Sequence, residues 1–305
     1  MSAGAGAEVV VVGQIARDLV LVVDAVPGPG ESADVRRRRE MLGGKGANQA
    51  VALAQLGTRV ALVGVVGDDE AGGRLLDQAR RDRIDVVHAV RRAGAETGLI
   101  VDIVDGSGRW RYLEDLPPAV LLTEADIAAA RPLFRGAAWV SVQLQQPPDA
   151  VRAALAQARE AGARVALDGV PPEDGRAEVI AAARIVRADA REAAILAGEE
   201  ITAPARAVRL AEDLVRRGPA LVALAVESGN VFAWPGGHLV LPLDDVPVAD
   251  TTGAGDAFTA ALIAASARGD PPERVARLAV AAAGATVRHP GGRPDLASLR
   301  DRPDP

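Results

Sequence analysis

The chain has 305 residues, with Lys+Arg 35 against Asp+Glu 41, a net charge of −6 and no cysteine. That length can bury a large α/β core, while the acidic balance argues against nucleic acid, whose phosphate backbone needs a basic face. Without thiols, disulfides, thiolate catalysis and zinc–thiolate sites are excluded, and His88, His238 and His289 lie too far apart for H-x-x-x-H metal spacing.

The start, MSAGAGAEVVVVG, lacks the basic opening and long apolar stretch of a signal peptide, and no apolar run reaches a membrane span. A soluble cytoplasmic protein with neither membrane nor nucleic-acid partners is expected. Only the RPDP end reads as disordered, and RRRRE (36–40) reads as a solvated strand or turn.

EVVVVG (8–13) is a β-branched run closed by glycine, the mark of a buried strand in a parallel sheet. LVLVV (19–23) is a second strand-like run, closed by PGPGE (27–31). Residues 45–56 stop at Gly57, as a helix with glycine at C′ does. RVALVGVVG (59–67) reads as one strand and DEAGGRLLDQARR (69–81) as a helix. The period then changes. Residues 98–114 hold two alternating runs about DGSG, a hairpin.

After it, strand and helix alternate: AAWVSVQL into 149–160, RVALDGV into DGRAEVIAAA, RIVRAD into REAAILAG. A helix over 204–217 and the strand ALVALAVE follow, then a hairpin of 231–234 and 238–241, and helices over 255–267 and 271–287. This alternation implies an α/β fold, a three-layer α/β/α sandwich with a mostly parallel central sheet. The strands at 19–40 and 98–114 interrupt the alternation and are expected to form a small β lid. No linker divides the chain. One unit over 1–305 is expected, with lid strands from about 17–40 and 97–115.

DTTGAGDAFTAAL (250–262) carries the clearest chemical signal. Gly253, Ala254 and Gly255 make a small turn into a helix, and N–H groups at a helix start form a pocket for an oxyanion or phosphate. A carboxylate at its mouth cannot help to hold that anion. Asp256 suits a base that takes the proton of a hydroxyl attacking phosphorus. An ordinary glycine-rich loop with Asp256 as helix N-cap explains the pattern equally.

GGKGANQA (43–50) lacks G-x-x-x-x-G-K-[ST] spacing, because Arg39 stands where the first glycine would be and Gly46 follows the lysine. No G-x-G-x-x-G follows the first strand, so neither a P-loop nor a Rossmann site is supported. Gly43 and Gly44 read as letting the backbone approach a small ligand. Lys45 and Asn48 share one face of a helix start, and an ammonium beside an amide suits a polyhydroxylated ligand. A surface helix start is the plainer reading. Yet Lys45 is the only lysine in the chain, and a compact point charge is retained where a planar fork will not fit. In DARE (189–192), Asp189 and Glu192 open a helix after a strand; they suit water-mediated Mg²⁺, or simply the helix dipole.

Over residues 8–299 the chain resembles the ribokinase branch of the ribokinase/phosphofructokinase-B (PfkB) family of carbohydrate kinases. GGKGANQA and DTTGAGDAF look like the family's two signatures, and VPGPGES (26–32) like its P-x-P-G-E segment before the lid. The resemblance implies the ribokinase-like fold and an ATP-dependent phosphotransferase acting on a primary hydroxyl of a pentose or related small sugar. It implies Asp256 as base, with the amides of Gly253, Ala254, Gly255 and Asp256 as anion hole. Asp18, Gly44, Lys45, Asn48 and Gln145 would bind the sugar. Asp189 and Glu192 would lie near Mg·ATP, Glu192 meeting Mg²⁺ through water, with Ala225, Gly229, Val280 and Gly284 around the nucleotide. Asp250 and the Thr252 carbonyl would resemble the branch's monovalent-cation site, taken by K⁺. Pairing through the lids, common in the family, implies a homodimer.

The chain departs from the branch at four places: Ala16-Arg17-Asp18 stands for Asn-x-Asp, Gln145 for glutamate, Asp189 for the Asn of Asn-x-x-Glu, and Ala225 for glycine. The first two remove an amide and a charge from the expected sugar pocket, and a site built for particular hydroxyls rejects analogues by factors on the order of 10⁴. The alternatives are a nucleoside kinase of the same fold and a low-turnover sugar-binding or sensing protein.

Overall fold

The four valines of the strand Val9–Val12 are all buried, yet they serve two cores. Val9 and Val11 pack on the side of the helices Lys45–Gln55, Ala254–Arg268 and Pro272–Thr286. Val10 and Val12 pack on the side of Pro148–Ala161 and Pro204–Val215. Strand side chains alternate between faces, so an unbroken apolar run needs cover on both. That requirement produces the three layers. The computed structural model describes residues 6–107, 109–227, 229–243, 246, 248, 250–288 and 293–300. His289 and the RPDP end lie outside them.

The central sheet has nine strands in the order Gly237–Pro242, Gly229–Trp234, Leu221–Val226, Ile185–Ala188, Arg164–Asp168, Trp139–Gln143, Val9–Val12, Val60–Val63, Ile84–Asp85. Neighbours from Leu221–Val226 onward are parallel, and the first two strands join antiparallel. Val9–Val12 is flanked by Val60–Val63 on one side and Trp139–Gln143 on the other. Strand order reverses there, and a crevice opens beyond the carboxyl ends of the strands.

The expected single strand over 59–67 is two. Val60–Val63 stays in the central sheet, whereas Val65–Gly67 pairs with Val90–Arg92 in a separate two-stranded sheet. Gly64 divides them: a Cβ there would lie 2.6 Å from the Gly13 carbonyl oxygen. The helices Glu124–Ala129 and Arg131–Phe134 and the strand Ile84–Asp85 were not anticipated; each is too short to show a period.

The interrupting strands form a four-stranded sheet, Val35–Gly43, Ala16–Val23, Leu99–Val104, Trp110–Asp115. RRRRE lies on its exposed edge strand, where Arg17 pairs with Glu40 at 2.6 Å. Alternation sorts this sheet's residues. Asp18, Val20, Asp102 and Val104 are buried on one face; Arg17, Leu19, Val101 and Ile103 are half-exposed on the other.

Helix Ala254–Arg268 is buried from Asp256 to Ala265, and Phe258 stacks on Phe232 with ring centroids 5.6 Å apart. A helix apolar all round belongs inside a protein, and its alanines let the helices Lys45–Gln55 and Pro272–Thr286 close on it from both sides. Both glycine-rich helix starts are thereby brought to the crevice. Among the described residues, no helix is long and apolar enough to cross a membrane.

Candidate active site

The Lys45–Gln55 helix begins at Gly44, whose φ of 83° is a left-handed value that glycine adopts freely. The Cβ positions that the glycines around it leave empty are occupied by the protein itself. A Cβ on Gly43 would fall on the Asp18 carboxyl; one on Gly44 would lie 2.9 Å from the Ala16 nitrogen; one on Gly46 would lie 2.6 Å from the Gly13 carbonyl carbon. The helix start is thus pressed against the turn after the first strand and against the buried carboxyl of Asp18.

The second start is built differently. Gly253, with φ 71°, is the N-cap of Ala254–Arg268, and Asp256 is its third helical residue, making no capping bond. This removes the N-cap explanation of Asp256. The Ala254 N–H turns to the Thr251 carbonyl at 3.3 Å, while those of Gly255 and Asp256 have no acceptor among the described residues. The Asp256 carboxylate instead accepts from Asn48 Nδ2 at 3.1 Å and from Gln49 Nε2 at 3.4 Å.

Asp256 is buried, and its pKa is pushed up to about 7, by burial first and then by the Asp168 carboxylate; Lys45, the Asn48 bond and Arg187 oppose the rise. A base with a pKa near the working pH is suited to proton transfer.

Sequence reasoning missed the residues behind Asp256. Gln49 donates to Asp168 Oδ2 at 2.9 Å and accepts from Ser141 at 2.8 Å. Arg187 donates to Asp168 Oδ1 at 3.0 Å, and the Thr259 hydroxyl lies 3.2 Å from the same oxygen and 3.0 Å from the Gly255 carbonyl. Arg187 also stands 3.8 Å from Glu192. The available signal was position: Asp168 ends one central strand, and Arg187 sits near the end of the next.

Asp189 and Glu192 open their helix as a reciprocal capping box, each carboxylate accepting the other's N–H at 2.8 Å. They line one cleft of about 290 Å³ with Lys45, Gln145 and Gly169. Gln145 is exposed there, and its carbonyl accepts from Gln14. Among the described residues no group of three or more His, Cys, Asp or Glu could hold a metal.

A second cavity, also about 290 Å³, lies against helices Ala254–Arg268 and Pro272–Thr286. Ala225, Val280 and Gly284 line it with Ala254 and Gly255. Gly229 is not in its wall; its Cα packs on the Leu241 carbonyl of the neighbouring strand.

The lid reaches this region through side chains that sequence reasoning also passed over. Thr252 donates to Asp250 Oδ1 at 2.6 Å through its hydroxyl, with Asp102 Oδ2 3.3 Å away, so the Tyr112 hydroxyl is the donor in its own bond to Thr252. Asp102 and Tyr112 are cross-strand partners. Burial, then the charge of Asp250, raises Asp102 to about 7. Burial, then Asp256, raises Asp18 to about 8, although the Gly44 N–H opposes this. Asp18 Oδ1 and Asp102 Oδ1 are buried without a hydrogen-bond partner among the described residues.

A family model for pfkB family carbohydrate kinases matches residues 7–298. The chain is 30% identical to a ribokinase of Mus musculus over 260 residues, covering 84% of this chain and 80% of the other. It is 30% identical to a bifunctional ribokinase/ribose-5-phosphate isomerase A of Fructilactobacillus sanfranciscensis, covering 84% of this chain but only 48% of that protein. In structure it is similar to Arabidopsis thaliana ribokinase complexed with ribose and ATP, with TM-score 0.78, 24% identity and coverage of 97% and 98%. It shares its fold equally with the adenosine kinase of Sinorhizobium meliloti, with TM-score 0.77, 22% identity and the same coverage of 97% and 98%.

Proposed function

The chain belongs to the pfkB family of carbohydrate kinases, phosphotransferases that act on a sugar hydroxyl, and on that premise we propose that it transfers the γ-phosphoryl group of ATP to a primary hydroxyl of a pentose or related small sugar, with Asp256 as base. One observation carries this reading. The buried Asp256 carboxylate is held by Asn48 and Gln49 at a helix start whose Gly255 and Asp256 amides stay open.

In the proposed step the acceptor oxygen attacks the γ-phosphorus and its proton passes to Asp256. The bond from phosphorus to the bridging oxygen breaks, and ADP leaves. The open amides stabilise the charge that develops on the transferring group. Lys45 and Asn48, one helical turn apart beside Asp256, orient the acceptor with Asp18, Gly44 and Gln145. The buried, unpartnered oxygen of Asp18 supports a hydroxyl ligand there. The cavity lined by Ala225, Val280 and Gly284 would take the adenosine part of ATP.

Asp189 and Glu192 each commit one oxygen to the capping box. Their other oxygens would meet the water shell of Mg²⁺, an ion usually held by one or two carboxylates and the substrate phosphates. Bound with the nucleotide, that ion neutralises phosphate charge. Asp250 and the Thr252 carbonyl are the residues that would meet K⁺; the buried carboxyls of Asp250, Asp102 and Asp18 favour a cation beside them. The Tyr112–Thr252 contact supports a lid that closes over the acceptor and keeps out water. The outer face of that lid, with Leu19, Val101 and Ile103 half-exposed and Leu113 exposed, supports pairing of two copies.

Ala16 favours a second reading, a nucleoside acceptor, because it gives the pocket no side-chain hydrogen bond. A panel of sugars and nucleosides in a coupled ADP-release assay decides between the two. Turnover of a pentose supports the sugar reading, and turnover confined to nucleosides overturns it.

A further inference from the structure

Arg187 lies near the end of the strand Ile185–Ala188, between the Asp168 network and the cavity assigned above to the nucleotide. Its side chain is 12% exposed. One edge is occupied: Nη1 donates to Asp168 Oδ1 at 3.0 Å and stands 3.8 Å from Glu192. The other edge faces the anion-binding helix start. A Cβ built on Gly255 would lie 2.5 Å from Nη2, so the guanidinium rests directly on that backbone. Nη2 has no protein partner among the described residues, and it is not among the polar atoms sealed from solvent.

Two further observations separate this arrangement from a structural ion pair. Asp168 already accepts from Gln49, so Arg187 is not its sole partner. Among the described residues that line the cavity, Arg187 is the one charged side chain, and it sits at the end that holds Ala254 and Gly255. An apolar cavity with one cation at one end matches a ligand that is apolar at one end and anionic at the other. The remaining donors of a guanidinium also suit phosphate oxygens, which accept bidentate bonds.

We propose that Arg187 is a catalytic residue of the transfer reaction, its Nη2 edge donating to a phosphate oxygen of the nucleotide at the Gly255 end of the cavity. The inference rests on the kinase reading. Asp168 then acts as a positioning residue that fixes the fork, and the charge of Arg187 adds to the two open amides.

The test is an equilibrium measurement that needs no knowledge of the acceptor. A ribose-labelled fluorescent adenosine is displaced from the full-length protein by ATP and by unlabelled adenosine. Removing the cation alone would leave Asp168 without its charged partner, a costly state. Two variants are therefore used, Arg187→Gln, which can still donate to Asp168, and the double variant Arg187→Met/Asp168→Asn.

In either variant ATP should weaken about tenfold or more while adenosine changes by about twofold or less, as expected for loss of a charge-assisted contact. Turnover should fall on the order of 10²-fold, with Arg187→Lys recovering part of both losses. An unchanged ratio of ATP to adenosine affinity in the folded variants, or an equal weakening of both ligands, would overturn the proposal and leave Arg187 a structural counter-ion. If the wild-type protein binds adenosine but gains nothing from the phosphates of ATP, the kinase reading itself fails.

Discussion

Two helices begin at glycine-rich segments that look alike in the sequence, GGKG at 43–46 and GAGD at 253–256, and their glycines meet different neighbours. At the first, every missing side chain is space taken by the protein: the Asp18 carboxyl, the 14–16 backbone and the Gly13 backbone. At the second, a side chain on Gly255 would meet only the end of Arg187, and the Gly255 and Asp256 amides have no acceptor among the described residues. The first start packs on backbone and on the Asp18 carboxyl; the second packs on the end of the Arg187 side chain. The same residue type meets rigid backbone in one place and the end of a side chain in the other, and only the neighbours decide which.

The largest effect separating the two starts is expected at Asp256. Asp256→Asn keeps the shape and can still bond Asn48, but it cannot take a proton. Turnover should fall by about 10³-fold while thermal shifts with ATP and acceptor stay near wild type. Retained turnover would show that the second start binds without catalysing.

Alanine at paired glycines should come next. Gly46→Ala drives a methyl into backbone 2.6 Å away and should cost about 1–3 kcal/mol or more in urea denaturation. Gly255→Ala meets only the end of the Arg187 side chain, and alanine is the better helix former by about 1 kcal/mol. Its stability should hold while ATP affinity falls. Equal losses of stability would erase the distinction between the starts.

A smaller effect is expected at Lys45→Arg. If the ammonium packs against the acceptor, KM for the acceptor should rise on the order of tenfold with the KM for ATP unchanged. Unchanged kinetics would return Lys45 to the surface.

The smallest effect is on stability against pH. Asp18 is held at about 8, and Asp102 and Asp256 at about 7, against an unfolded value of 3.8. Between those limits the folded protein keeps protons that the unfolded chain has released, so stability falls as pH rises from about 4 to 8. Differential scanning calorimetry should find a lower Tm for the ligand-free protein at pH 8 than at pH 5. Asp18→Asn should flatten the slope and raise Tm at pH 8 by about 2 °C or more, and acceptor binding should weaken.

The layered fold was legible because its signals are local. β-branched runs alternate with helices, and glycines mark the ends. What failed was long-range. Gly64 breaks a strand only because Gly13 and Ile15 press on it, and nothing within 59–67 reports that. The signature residues at the two helix starts could be read, yet nothing within 43–46 reports that Asp18 and the Gln14 backbone take the space beside Gly43 and Gly44. Gln49, Asp168 and Arg187 stayed hidden: their polarity has meaning only once strands remote in sequence are brought together. Asp102 offered a faint signal, an acid in the apolar run LIVDIV, which alternation turns toward Asp250 and Thr252.

In the proposed transfer an acceptor hydroxyl attacks the γ-phosphorus of ATP, and the origin of the ester oxygen reports that step. It is tested most directly with an acceptor carrying oxygen-18 in its primary hydroxyl, followed by mass spectrometry of the product. A phosphorylated acceptor that keeps the label is expected, with one ADP formed per product. Inorganic phosphate released with an unmodified acceptor, or a product that has lost the label, would contradict it.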